Sequence, residues 1–149
     1  MSDKLSLYDM LPIITEKLEQ GEKVHFTPFG KSMLPLLRDG LDSVTLTKKA
    51  EYKKYDICLL KSESGAIALH RIIDNKNGFV ALGDNTYKKE TNLISLGAVI
   101  NIKRGNRDIN LNGILYKAYC RFWYFIFPLR KFSFKVKRRI KNLIFNNNK

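Results

Sequence analysis

The sequence is poor in cysteine and histidine. Its 149 residues include 2 cysteines and 2 histidines. The positions of Cys58 and Cys120 give neither the paired spacing of a metal site nor a disulfide framework. We therefore expect no metal and no other cofactor, and so few cysteines favour a reducing compartment.

Long apolar runs are also missing. The longest, residues 122–129, is well short of the roughly 20 residues that a helix needs to cross a bilayer. The N-terminal residues mix polar and apolar side chains and do not resemble a signal peptide. The sequence therefore predicts a cytoplasmic protein without a transmembrane segment or a signal peptide.

Acidic residues are scarce in one part of the chain only. Residues 1–102 carry 14 Lys or Arg and 13 Asp or Glu, whereas residues 103–149 carry 13 Lys or Arg and a single acid, Asp108. The net charge of +13 thus belongs to the C-terminal part, and an apolar content of 44% excludes a wholly disordered chain. We predict an N-terminal helical segment (1–22), a folded domain (23–104) and a basic tail (105–149).

Hydrophobic periodicity predicts the elements of the first two segments. Apolar residues recur at helical spacing between Leu7 and Leu18, with Gly21 as a stop signal, and Pro12 should mark the start of this helix or bend it. Beyond Lys23, short apolar segments alternate with Gly, Asn and Asp turns, as strands do. The six predicted strands are 24–26, 43–46, 56–60, 66–73, 78–82 and 96–102. The predicted fold is mainly β, a compact antiparallel barrel or coiled sheet.

Aromatic and basic residues dominate the tail. Phe122 and Trp123 belong to an aromatic cluster, and beyond Pro128 apolar residues recur every four residues with Arg138 and Arg139 among the cations between them. This pattern predicts an amphipathic basic helix, with these four residues contacting an anionic membrane surface. Two other interpretations stay open. The aromatic half could pack on the domain, or the tail could bind nucleic acid, which the bunching of aromatics ahead of the charges disfavours.

Two histidines give two candidates for imidazole chemistry. His25 lies near the start of the first predicted strand, among alternating apolar residues, where a structural or solvent-facing role fits best. His70 is followed by Arg71 inside an apolar strand. Such a polar pair needs partners, because burying each group unpaired costs about 1–3 kcal/mol.

A serine occupies the loop between the first two predicted strands. Ser32 lies between Gly30, which permits an unusual backbone angle, and Pro35, which stiffens the exit. Such a loop can expose a hydroxyl and aim backbone N–H groups at a developing oxyanion. The short pattern Gly-x-Ser-Met is common in turns, so its meaning depends on the other motifs of the chain.

The order of four motifs is much more specific. The chain carries Gly-x-Ser-Met-x-Pro-x-Leu at 30–37, Asp-Ile at 56–57, His-Arg-Ile at 70–72 and Gly-Asp-Asn at 83–85. This order resembles the signature of type I signal peptidases and the related LexA-type repressors, over roughly residues 24–102. In the bacterial enzymes and the repressors the base is a Lys, whereas the endoplasmic-reticulum type has a His before an Arg, as at His70. The resemblance implies the β peptidase fold of that family.

The resemblance also implies roles for single residues. Ser32 would attack the scissile carbonyl, and His70 would act first as general base and then as general acid. In His-type relatives a downstream Asp orients the imidazole; here Glu90, one methylene longer, stands at that offset, with Asp84 as the reserve candidate. Many relatives carry a hydroxyl residue where this chain has Gly30, so the oxyanion hole would depend on the Ser32 N–H and other nearby groups.

These residues predict a serine endopeptidase that cleaves a leader or precursor peptide bound in extended form, with the enzyme peripheral on the inner face of a membrane. The missing anchor argues against exported pre-proteins as substrates. Two alternatives stay open. One is a peptidase-fold module that has lost catalysis and binds peptide or membrane. The other is a regulator bound to nucleic acid, which the lack of a helix-turn-helix module disfavours.

Overall fold

Seven strands and three helices make up residues 7–146, the part of the chain that the computed structural model describes; residues 1–6 and 147–149 lie outside it. The helices are α1 (Leu7–Glu19), α2 (Ile114–Phe125) and α3 (Phe127–Asn146). The strands are β1 (Val24–Phe26), β2 (Asp42–Thr47), β3 (Ile57–Ser62), β4 (Ile67–Asp74), β5 (Phe79–Leu82), β6 (Glu90–Arg104) and β7 (Arg107–Ile109). The chain divides into two units between Asn112 and Gly113.

Strand β6 holds most of the sheet together. It pairs antiparallel with β5, β3, β2 and β7 along its 15 residues. The strand order is β1-β2-β6-β3-β4-β5, with β7 also on β6. All pairs between named strands are antiparallel, which confirms the predicted mainly β class.

Two features of the sheet differ from the prediction. The last strand begins at Glu90 rather than at residue 96, and β7 was not predicted. Residues 90–95 are half-exposed and carry several polar side chains, so their extended form comes from pairing with β5 and β3 rather than from a local apolar pattern. Strand β7 is held to β6 by its ladder and by a 2.9 Å bond from Asn101 Nδ2 to Asp108. The first unit therefore continues past the predicted boundary at Arg104.

Helix α1 packs on the sheet through its buried residues Ile14 and Leu18. The helix can approach β6 closely because the strand has a glycine, Gly97, at the contact. A Cβ at this position would lie 2.9 Å from Leu18 Cδ1. The helix begins at Leu7, well before Pro12. It continues through Pro12 without one backbone hydrogen bond, since proline has no N–H to donate, and its burial against the sheet offsets that loss.

A buried carboxylate closes the loop that carries Ser32. Asp42, at the start of β2, is fully buried and accepts hydrogen bonds from the side chains of Arg38 and Arg104 and from the Arg38 backbone N–H. Arg104 also donates to the Leu36 carbonyl at 2.6 Å. Burial alone would raise the pKa of Asp42, but the two arginines outweigh it and lower the pKa to about 2.

We expect Asp42→Asn to lower the free energy of unfolding by about 2 kcal/mol at neutral pH, since each pKa unit corresponds to about 1.4 kcal/mol. The pKa of Asp42 falls from 3.8 in a free carboxyl to about 2 in the folded state. Its contribution is therefore present above about pH 4 and lost as the pH falls toward 2. Chemical denaturation across this range should show the difference between wild type and variant shrinking below pH 4; a constant difference would contradict the assignment.

The second unit consists of α2 and α3. Trp123 is half-buried, stacked on Tyr119 at 5.6 Å between ring centroids and covered by the Arg130 guanidinium at 4.3 Å. Phe122 is largely exposed, as are Arg138 and Arg139. Within residues 7–146, none of the helices combines the length and the apolar character needed to cross a bilayer.

Candidate active site

An apolar cavity of about 550 Å³ lies in the first unit, with Ser32 in its wall. Residues from α1, from β1 and the loop after it, and from the start of β4 line it. They are Leu7, Tyr8, Met10, Phe26, Thr27, Pro28, Phe29, Gly30, Ser32, Met33, Leu37, Arg38, Ile67, Ala68 and Leu69. Its size and apolar lining are typical of a site that takes the side chains of a peptide or a small molecule.

One wall of the cavity is an unpaired strand edge. Strand β4 pairs with β3 from Ile67 to Arg71, but β5 joins its other side only from Arg71 onward. The first ladder bond runs from the Ser62 N–H to the Ala66 carbonyl at 2.8 Å. Because N–H and C=O groups alternate in direction along a strand, those of Ile67 and Leu69 point away from β3. These residues therefore offer backbone groups to another extended chain.

The loop between β1 and β2 presents Ser32 at the cavity. Met33 and Leu37 anchor the loop because both are buried. Gly30 has a φ of +119°, which favours glycine, and its N–H donates to Asp39 Oδ1 at 2.8 Å. Gly30 thus shapes the loop with its N–H already used. Within residues 7–146 the Ser32 N–H and Oγ make no hydrogen bond, so both are available to a bound group.

His70 is held by a carboxylate on one side of its ring. Strand β4 buries it to 5% exposure, and its Nδ1 lies 2.9 Å from Glu90 Oε2. The Glu90 side chain stays 40% exposed. A carboxylate at Nδ1 favours the tautomer that carries the proton there and leaves Nε2 free to accept one. The predicted partner of His70, Glu90, is therefore placed where an orienting residue would lie.

Asp84 pairs with Arg71 instead of His70. Arg71 Nε and Nη2 donate to the two Asp84 oxygens at 2.8 and 2.7 Å, and both residues are buried. Arg71 Nη1 also donates to the Tyr55 carbonyl. Two parallel bonds of this kind fix the guanidinium and the carboxylate in one geometry. The reserve candidate Asp84 thus holds the turn that follows β5.

The turn at Gly83–Asn85 brings His70 and the Ser32 loop together. The Asn85 N–H donates to the Ser32 carbonyl at 2.7 Å, and Asn85 Nδ2 donates to the Lys31 carbonyl at 3.0 Å. A Cβ on Gly83 would lie 2.7 Å from Ser32 O and 2.9 Å from His70 Nε2. Nε2 and the Ser32 backbone therefore face each other across Gly83. The predicted motifs at 30–37, 70–72 and 83–85 converge here.

Other predicted residues lie elsewhere. His25 is exposed on β1, with Nδ1 at 3.1 Å from Thr45 Oγ1, and does not line the cavity. Lys31 is exposed. The candidate membrane contacts Phe122, Trp123, Arg138 and Arg139 belong to the second unit. Among the described residues, His, Cys, Asp and Glu form no group of three that could hold a metal ion.

Sequence reasoning missed the part that α1 plays in the site. Leu7, Tyr8 and Met10 line the cavity, and the Tyr8 hydroxyl accepts a hydrogen bond from the Ile67 N–H at 3.4 Å. Tyr8 thus meets the unpaired edge of β4 at a position that the carbonyl of an added strand would take. The periodicity of α1 identified its buried face, but nothing in the sequence indicated which strand edge its first turn reaches.

We expect Gly83→Ala to push His70 and the Ser32 loop apart, because the new methyl group would meet Ser32 O, His70 Nε2 and Thr86 Cγ2, all within 3 Å. Overpacking of this kind costs about 1–3 kcal/mol, which a denaturation curve measures. The His70 ring resonances in an NMR spectrum should shift as well. Gly65→Ala is the control for the NMR measurement: its φ of +83° strains an alanine and lowers stability, but a Cβ there meets open space and should leave the His70 signals unchanged. Unshifted His70 signals in Gly83→Ala would refute the close packing.

Comparison with known proteins adds no assignment. No protein-family model matches the sequence, and no curated protein matches it either.

Proposed function

We propose that the protein is a serine endopeptidase of the signal-peptidase-like type, with Ser32 as nucleophile and His70 as general base. One observation carries the proposal. His70 has Nδ1 bonded to Glu90, and its Nε2 and the Ser32 carbonyl both lie close to Gly83, while Ser32 itself lines an apolar cavity with an unpaired strand edge. A nucleophile, an oriented base and a peptide-sized groove are the three elements that acyl transfer needs.

The reaction proceeds through the usual two steps of acyl transfer. Ser32 Oγ attacks the scissile carbonyl while His70 Nε2 takes its proton, and the imidazolium then protonates the leaving amine. Glu90 stabilises the imidazolium that forms in between. In the second step water attacks the acyl-enzyme while His70 takes its proton; the ester bond to Ser32 then breaks, His70 returns the proton to Oγ and the acid product leaves. The free Ser32 N–H is a donor for the oxyanion.

The substrate binds as an extended strand. Its backbone pairs with Ile67 and Leu69, whose N–H and C=O groups point away from β3, and it displaces the Tyr8 hydroxyl from the Ile67 N–H. Alternate side chains enter the cavity, where Phe26, Met33 and Leu69 provide apolar contacts. This arrangement favours peptides with apolar residues near the cleavage point.

A binding module without catalysis is the second candidate. The observation in its favour is that Ser32 Oγ and His70 share no hydrogen bond in the described structure. Such bonds are often long in a free enzyme and tighten only when substrate is bound. The same groove would bind an extended peptide in either case, so cleavage, not binding, decides between the two.

The deciding experiment incubates wild type with a fluorophosphonate probe and with a library of extended peptides, read by mass spectrometry. We expect Ser32→Ala to abolish labelling and cleavage, and His70→Ala to slow cleavage by on the order of 10⁴-fold. His25→Ala is the matched control and should behave as wild type, because His25 is exposed on β1 and its Nδ1 lies 3.1 Å from Thr45 Oγ1 rather than beside a carboxylate. Equal behaviour of all four proteins would end the catalytic proposal and favour the binding module.

Substitutions of Glu90 and Asp84 should affect different properties, the rate of cleavage and the stability of the fold. Glu90→Gln should lower the rate of cleavage by about 10- to 100-fold and leave the fold intact, a smaller loss than for a fully buried orienting carboxylate. Asp84→Asn should instead lower the free energy of unfolding by about 3–5 kcal/mol, because it leaves Arg71 buried without its ion pair. Rates and denaturation curves of both variants are the measurement. A rate loss larger for Asp84→Asn than for Glu90→Gln, in protein shown to be folded, would reverse the assignment.

A further inference from the structure

Helix α3 carries an apolar stripe along one side. Its members recur at three- or four-residue spacing and so lie on one face of the helix. Their exposed fractions run from 37% to 72%. They are Leu129, Phe132, Val136, Ile140 and Ile144. A continuous apolar surface of this kind indicates a face that binds an apolar partner.

Cations surround the stripe. With about 100° per residue, Lys137 and Arg139 fall at its two borders and Arg138 lies on the opposite side. Four more basic residues of α3 complete the set: Arg130, Lys131, Lys135 and Lys141. Residues 113–149 contain no Asp or Glu. The helix thus has one apolar face and one positive face, with no acidic side chain of its own to neutralise the charge.

The two faces together select one class of occupant. Residues 1–112 carry 17 Lys or Arg and 14 Asp or Glu, so the first unit has no net negative charge that would attract the helix. A nucleic acid would neutralise the cations but leave the apolar stripe in water. An anionic bilayer surface meets both needs, since acyl chains cover the stripe and headgroups neutralise the cations.

We infer that α3 binds in the plane of an anionic membrane surface, with Phe132 and Ile140 among the acyl chains and Lys137, Arg138 and Arg139 against the headgroups. Helix α2 adds Phe122 and Phe125, which are 60% and 81% exposed, to the apolar surface of the same unit. This mode needs no helix that spans the bilayer. It is independent of the proposed peptidase activity and can be tested without a substrate.

The experiment measures co-sedimentation of the full-length chain with vesicles of phosphatidylcholine, alone or with about 30% phosphatidylserine. We expect binding to be at least about 100-fold stronger with phosphatidylserine, because each surface cation adds about five-fold. Raising the salt to 1 M should release the protein, since the Debye length falls from about 10 to about 3 Å.

Two sets of variants separate the contributions of charge and stripe. Lys137→Gln, Arg138→Gln and Arg139→Gln combined should weaken binding by on the order of 100-fold, whereas Lys23→Gln, Lys61→Gln and Lys76→Gln, three exposed lysines of the first unit, remove the same charge and should have little effect. Phe132→Ser with Ile140→Ser should also abolish binding. Asn142→Ser, on the polar face, is the control for that pair.

Each outcome bears on the inference. Equal binding to neutral vesicles at high salt would overturn it. An equal loss of vesicle binding in the Lys137/Arg138/Arg139 variant and in the Lys23/Lys61/Lys76 variant would overturn it as well. If vesicles do not bind while duplex DNA or RNA binds regardless of the stripe substitutions, the tail is a nucleic-acid contact. If the stripe substitutions instead lower the thermal midpoint and wild type ignores vesicles, the stripe packs within the protein. Anionic, salt-sensitive and stripe-dependent binding is the result that supports it.

Discussion

The bidentate bond between Arg71 and Asp84 is the contact on which the site is built. Both groups are buried in the sheet, and either of them unpaired would cost several kcal/mol. The pair therefore fixes the turn after β5 relative to β4. Because His70 precedes Arg71 and because Gly83 and Asn85 flank Asp84, the same contact sets the imidazole and the Ser32 loop at opposite sides of one glycine.

Strand geometry explains why two neighbouring polar residues have separate partners. Side chains of successive residues point to opposite faces of a strand. Arg71 meets the carboxylate of the turn, and His70 meets Glu90 at the first residue of β6. The deeper carboxylate stabilises the fold, whereas the partly exposed one contacts the candidate base. Asp84 thus contributes to the stability of the fold and Glu90 to the proposed chemistry, although only a short segment separates them. Substitutions at the two positions can therefore test the two roles separately.

Much of the fold followed from local patterns, and the rest depended on contacts between distant residues. Alternation and turn residues located five strands closely, and the resemblance to His-type signal peptidases, not a local pattern, named Glu90 as a partner of His70, with Asp84 in reserve. Residues 90–95 have no apolar alternation and are extended because they pair with β5 at Glu90 and Leu93 and with β3 from Leu93 to Ser95. The bonds from Arg38 and Arg104 to Asp42 join residues far apart in the chain, so no spacing rule could indicate them. The contact of Tyr8 with β4 escaped for the same reason.

The length of β6 has a consequence for the order in which the protein matures during synthesis. Strands β2, β3, β5 and β7 all pair with it, so a nascent chain that ends before Glu90 lacks the strand that joins them. Ser32 and His70 are synthesised earlier, but the carboxylate that contacts the imidazole arrives only with the first residue of β6. Assembly of the sheet and completion of the candidate site are therefore one late event, and a product truncated before Glu90 carries Ser32 and His70 without the carboxylate that contacts the imidazole.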